Sequence, residues 1–314
     1  MQRILDPDQI EAFTERSVPR IRLPDPASLF ARRALRLRTL AEGHSLGDYL
    51  RLMAALGEAQ QVALDALRTA LVSEQFAQQL GRQIELAHEH RMPLLQAAGW
   101  PRQERWRDIL NELCTSLAGA PGFPAGVRSV CERIAGSAAA EIEAQADLLV
   151  AARTAGVDAQ AAPFVMAALQ VYWAAMASSV KMSDVTPIDV PGVCPTCGTL
   201  PVSSIVRSDK RSAGYRYLHC GLCATEWHMV RITCSQCLTN EGITYHSIEG
   251  GTAAVRAESC SQCHTYRKIL YQEKDPEVEP VADDLASLAL DLLMAEEGLH
   301  RGSGNPLLWQ TTET

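Results

Sequence analysis

Four Cys-x-x-Cys pairs fall inside 70 residues of a 314-residue chain: Cys194/Cys197, Cys220/Cys223, Cys234/Cys237 and Cys260/Cys263. Twenty-two residues separate the first pair from the second, and twenty-two separate the third from the fourth, so the block repeats itself at an offset of 40. A Cys-x-x-Cys turn sets two sulfurs on one side of a tight knuckle, and two facing knuckles supply four thiolates in a tetrahedron. Equal spacing in both halves favours two equivalent sites, Cys194, Cys197, Cys220 and Cys223 in one and Cys234, Cys237, Cys260 and Cys263 in the other. Joining the two inner pairs would leave the outer ones to close a much longer loop, at greater entropic cost. Gly198, directly after the first knuckle, gives the backbone the freedom to turn beneath a metal.

Two metal ions per chain are therefore expected, and four thiolates suit zinc or a single iron of the rubredoxin kind equally. Modules this small are commonly unfolded without their metal, so a purely structural role stands beside any functional one. No closely packed ferredoxin-type run of cysteines occurs, and a thioredoxin-like dithiol would be expected once and not four times. His219 and His264 adjoin Cys220 and Cys263; with four sulfurs already offered to each site, they are read as neighbours of the metal or as surface residues and not as ligands. Tyr215, Tyr217, Trp227, Tyr245, Tyr266 and Tyr271 are open to two readings, a binding surface or packing. Over residues 188–272 eight Lys/Arg face six Asp/Glu, too small an excess to support a zinc-ribbon nucleic-acid binder. A redox reading, in which rubredoxin-like iron changes valence in an electron carrier or sensor, is the other alternative. No phosphate-binding Gly-rich loop, nucleophile elbow or His-Glu-x-x-His is present, and the expectation is a protein that is not an enzyme.

The rest of the chain is helical in pattern. Apolar residues recur three and four apart over Ser28–Ala41, Leu46–Leu71, Glu74–His90, Pro101–Leu117, Gly126–Ile134, Ser137–Thr154 and Ala161–Val180, which predicts a multi-helix domain. Cys114 and Cys131 lie inside these patterns without a knuckle partner and read as small buried hydrophobes. Pro187, Pro191 and Gly192 mark a linker. Short alternating stretches follow at Val202–Val206, Tyr215–His219, Ile243–His246 and Thr265–Tyr271, the strands of two small β-ribbons. Beyond Gln272 the chain turns acidic and predicts one helix over Val281–Glu297, with a broad apolar face that needs a partner, and a frayed tail from Gly302 that Leu307, Leu308 and Trp309 could anchor. The fold class is thus α+β, mainly α: a helical domain over 1–187, metal modules of zinc-ribbon or rubredoxin-like type over 188–230 and 231–272, and an acidic helix and tail over 273–314. A net charge of −8 argues against general affinity for nucleic acid or anionic membrane. The residues from Met1 to Arg20 hold no apolar signal region and the run Phe164–Ala177 is too short to span a bilayer, so a cytoplasmic chain without membrane insertion is expected. In that reducing compartment paired cysteines serve as thiolate ligands more readily than as disulfides.

Several segments together resemble the formate dehydrogenase accessory protein FdhE family. They are Cys194-Pro195-Thr196-Cys197-Gly198, Arg216-Tyr217-Leu218-His219-Cys220 running through Cys223 and Trp227 to Cys234, Glu258-Ser259-Cys260 through Cys263 and Tyr266, and Asp283-Asp284-Leu285-Ala286-Ser287-Leu288-Ala289-Leu290-Asp291. Ala41-Glu42-Gly43-His44 and Gly47-Asp48-Tyr49-Leu50 extend the likeness into the helical part. The resemblance implies a cytoplasmic maturation factor, chaperone-like, that binds the catalytic molybdenum- or tungsten-containing subunit of respiratory formate dehydrogenase around its export and is absent from the finished enzyme. It also implies iron in the two Cys₄ sites, with zinc as the alternative.

Overall fold

The computed structural model describes residues 18–70, 74–186 and 188–310. Seven of the helices among the described residues precede the cysteine block: α1 Leu29–Leu40, α2 Gly47–Ala70, α3 Glu74–His90, α4 Arg105–Gly119, α5 Ala125–Gly136, α6 Ala139–Val150 and α7 Ala162–Ser179. In α1 the stripe of Phe30, Ala34 and Leu37 is buried against α2. The two helices approach closely where α2 carries Gly57, since a Cβ there would stand 3.2 Å from that of Ala34. Helix α7 is apolar all round, with every residue from Ala162 to Ala177 buried, and it forms the axis against which α2, α4 and α6 pack. Cys114 and Cys131 are buried on α4 and α5, and burial pushes both thiols up. No helix among the described residues is long and apolar enough to cross a membrane.

Two helix ends differ from the periodicity. Helix α4 starts at Arg105 and not at Pro101, because the stretch before it is spent on tertiary bonds: Gln103 N donates to Tyr172 Oη at 3.3 Å and Arg102 reaches Glu143 and Asp147. Helix α6 stops at Val150 and not near Thr154, since Ala152 takes a left-handed φ of 53° and Arg153 N closes back on Leu148 O at 2.9 Å.

The cysteine block does not form two separate ribbons. Strands β1 Ile21–Arg22, β2 Pro201–Val206, β3 Arg216–Cys220, β4 Glu226–His228, β5 Ile243–His246, β6 Val255–Cys260 and β7 Thr265–Tyr271 join one sheet in the order β1-β4-β3-β2-β7-β6-β5. β2, β3 and β4 belong to the first module and β5, β6 and β7 to the second, at the same places relative to the knuckles, so the same three-strand unit occurs twice. The seam is a parallel pairing of β2 with β7, registering Ser204 with Ile269 and Val206 with Tyr271. Across it, Arg216 of β3 and Glu258 of β6 form an ion pair at 2.7 Å with both side chains buried. β1 and β4 are too short, at two and three residues, to carry an alternation, whereas β6 lies outside the predicted stretches although Val255-Arg256-Ala257-Glu258 alternates apolar with charged residues.

The C-terminal segment also departs from expectation. It forms two helices, α8 Ala282–Ala286 and α9 Leu288–Glu296, with a break at Ser287. The cause is Lys268 on β7, a fully buried ammonium that bonds Asp284 O at 2.8 Å, Ser287 O at 3.0 Å and Asp291 Oδ2 at 2.6 Å. Carbonyls aimed at that charge are lost to the helical ladder. α8 packs on α1 and α9 on β6, so the segment touches both halves of the molecule. Its acidity is met there: Arg33 pairs with Glu279, Arg36 with Asp275 and Asp283, and Arg301 with Asp284. The described part of the tail is held. A strand β8, His300–Arg301, pairs with β7, Asn305 Nδ2 donates to Val281 O at 2.9 Å, Leu307 is buried and its carbonyl accepts from Tyr49 Oη.

Candidate metal centres

The structure brings the eight block cysteines together as two groups of four, Cys194, Cys197, Cys220 and Cys223, and Cys234, Cys237, Cys260 and Cys263, with the sulfurs of each group within 4.8 Å of one another. In the first, Cys194 Sγ lies 3.6 Å from Cys223 Sγ and Cys197 Sγ 3.4 Å from Cys220 Sγ. In the second, both cross-knuckle separations, Cys234 to Cys263 and Cys237 to Cys260, are 3.7 Å. Metal–sulfur bonds of about 2.3 Å in a tetrahedron put neighbouring sulfurs about 3.8 Å apart. The donor sets therefore fit a tetrahedral thiolate-bound ion.

Each knuckle is built the same way. Cys194 N donates to Thr199 O, Cys220 N to Thr225 O and Cys234 N to Thr239 O, at 2.8–2.9 Å. The residue after the second cysteine is left-handed in all four: Gly198 at φ 79°, Ala224 at 60°, Leu238 at 62° and His264 at 54°. Glycine was thus a visible signal for the first knuckle only, and three residues with a Cβ accept the same strained conformation. Donors surround the sulfurs, as they must where negative charge gathers. The Thr199 hydroxyl lies 3.2 Å from both Cys197 and Cys220 Sγ, Leu222 N and Cys223 N each point at Cys220 Sγ from 3.3 Å, and Thr265 Oγ1 stands 2.9 Å from Cys263 Sγ. Burial works against ionisation of Cys220, yet bonds from Cys194, Cys197, Cys223 and Thr199 hold its thiol well below the ordinary value. Burial first, then its three neighbours, push Cys194 well above it. For Cys263 burial is outweighed by Thr265, and the thiol falls to about 7.

The two centres differ in their surroundings. All four cysteines of the first are at most 1% exposed and belong to the main apolar core. The chain between α3 and α4 runs along the knuckle, Leu95 N donating to Thr196 O at 2.6 Å and Ala97 N to Cys197 O at 2.8 Å. From the core of α7, Gln170 Nε2 reaches Gly221 O inside the second knuckle at 2.7 Å. In the second centre Cys237 is exposed and Cys263 half-buried, and none of the four belongs to either apolar core.

Neither sulfur group includes a histidine among the described residues. His219 is buried and donates Nδ1–H to Glu226 Oε1 at 3.1 Å, while His264 is exposed. Burial opposes the charge on Glu226, but Arg207 and His219 hold its carboxyl far below the usual range. His246 bonds Ser259 Oγ at 2.7 Å. Half of the six block aromatics are packing residues: Tyr217, Trp227 and Tyr266 are buried, Tyr215 and Tyr271 are half-buried, and Tyr245 is 37% exposed. Sequence reasoning missed Gln170, Arg33 and Lys268, buried polar side chains inside apolar or strand-like runs; their only signal was the interruption itself.

A mainly helical domain joined to a duplicated pair of Cys₄ modules, consistent with zinc ribbons fused into one sheet, is the class of protein that fold and sites define. Family models described as FdhE, N-terminal, FdhE, central domain, and FdhE, C-terminal domain match residues 18–189, 193–231 and 232–308. A Protein FdhE homolog of Cronobacter sakazakii is 43% identical over 98% of this chain and 97% of its own, and Protein FdhE of Salmonella paratyphi A is 42% identical over the same shares. The crystal structure of the FdhE protein from Pseudomonas aeruginosa superposes with a TM-score of 0.82 at 37% identity, covering 92% of this chain and 99% of that one. The chain belongs to the FdhE family.

Proposed function

We propose that this protein is a maturation factor that binds the catalytic subunit of a respiratory formate dehydrogenase in the cytoplasm, assists its assembly or activation, and leaves before the enzyme is complete. Membership of a family of formate dehydrogenase accessory proteins over nearly the whole chain is the observation that carries this reading. Cys194, Cys197, Cys220 and Cys223 hold one ion in it and Cys234, Cys237, Cys260 and Cys263 the other. The ions are iron on the strength of the family resemblance, with zinc as the other metal the thiolates accept. Bound there, either ion cross-links its two knuckles, and iron adds a one-electron couple. The chain's own residues do the rest: Thr199 and Thr265 supply hydroxyls to the sulfurs, and the sheet holds both modules in one frame.

A strain lacking the protein should lose formate dehydrogenase activity, and the catalytic subunit should co-purify with the wild-type chain and less with Cys260→Ser/Cys263→Ser. Undiminished activity in that strain would refute the reading. Elemental analysis of protein prepared without oxygen should return two ions per chain and identify them.

A further inference from the structure

We propose that the free edge of β5 is a docking site for an extended polypeptide segment, apolar and basic, that joins the sheet as one more parallel strand. The internal duplication supplies the template. In the first module the outer edge of β2 is covered by β7 running parallel to it; β5 is the counterpart of β2 and ends the sheet with no strand beyond it among the described residues. Ser261 N bonds Gly242 O at 3.0 Å, which fixes the alternation of the β5/β6 ladder and turns the N–H and C=O of Ile243 and Tyr245 to the open side. Such a row of unpaired groups is a ready acceptor for an added strand.

The chemistry of the occupant follows from what lines the edge. Tyr245 lies on β5 and Ile248 two residues beyond its end, and they are exposed at 37% and 38%. Between Leu238 and Thr252 the only charged side chains are Glu241 and Glu249, one in the turn on each side of β5, both exposed and neither in an ion pair among the described residues. An incoming segment with apolar and basic residues answers both features, and β7 itself, carrying Arg267, Lys268, Ile269 and Leu270, has that composition. A second copy of the chain suits the edge less well, since two copies meeting through β5 would oppose these carboxylates to their own equivalents. The inference rests on the edge and its charges and not on the dehydrogenase reading, and its test contains no dehydrogenase.

The probe is a fluorescently labelled peptide with the sequence of Thr265–Tyr271, titrated with the full-length metal-loaded protein and followed by anisotropy. Saturable binding is expected, weaker in high salt and weaker for a peptide with glutamate at both basic positions. Tyr245→Pro removes an N–H that β6 does not use, a substitution edge strands tolerate, and should weaken binding at least about tenfold. Glu241→Lys/Glu249→Lys leaves the backbone untouched and should weaken it as well. No saturable binding to the wild-type protein, or equal binding by Tyr245→Pro and the charge-reversed protein, overturns the proposal. A dimer in sedimentation that Tyr245→Pro dissolves assigns the edge to a second copy and overturns it too.

Discussion

At the scale of single residues, conformational strain sits where the sulfurs are presented. Leu238 holds a φ of 62° with 44% of its surface exposed, so its side chain contributes little packing in return. Leu238→Gly relieves a left-handed side chain at some entropic cost to the fold and should raise stability by about 0.5–1 kcal/mol, read as a higher melting temperature at unchanged metal content. His228 gives a second residue-scale expectation. It stands edge-on to Tyr215 and Tyr217, with ring centroids 5.6 and 5.9 Å away, and burial, then Arg20, lower its pKa from the ordinary 6.5. Neutral in the fold, it takes up a proton more readily once unfolded, so its contribution is present above about pH 6.5 and is lost as pH falls towards its folded value. Urea midpoints at pH 7.5 and 5.5 should differ less for His228→Phe than for the wild type.

Among elements, the seam between β2 and β7 is what makes one sheet of two modules, and the pair Arg216–Glu258 lies across it with side chains 0% and 3% exposed. Removing one partner leaves a buried charge alone. Glu258→Gln should cost about 3 kcal/mol in urea denaturation, and a paired apolar replacement, Arg216→Met/Glu258→Leu, should recover most of that. The elements themselves were largely legible. Stripes such as Phe30, Ala34 and Leu37 mark α1 because burial on one face imposes the helical period, and the 40-residue offset paired the knuckles as the structure groups them. Invisible were features set by distant partners. Nothing near Ser287 announces a break, because the ammonium that causes it belongs to Lys268; nothing in β2 announces β7. Arg33, inside an apolar stripe, reads as a misplaced charge until Glu279 is brought to it.

For the whole molecule, the contrast between the two centres has a kinetic meaning. Ligand exchange needs an incoming group to reach the ion or its sulfurs, and the first cluster offers no exposed sulfur whereas the second offers Cys237. A chelator with a mercurial should therefore release one equivalent of metal quickly and the second only with global unfolding followed by circular dichroism. Cys234→Ser/Cys237→Ser should delete the fast phase; two equal phases would contradict the assignment.

The parallel seam also orders events during synthesis. β2 leaves the ribosome well before β7, and until Tyr271 has emerged the outer edge of β2 is as bare as β5 is in the finished protein. Even a first module complete with its ion would thus pass through an interval as an adhesive half-sheet, open to a neighbouring nascent chain. The last strand of the duplication, fastened by Lys268 to the helices that follow it, closes that interval. A chain cut short between β6 and β7 would keep its first set of cysteines and still be the form most prone to aggregate.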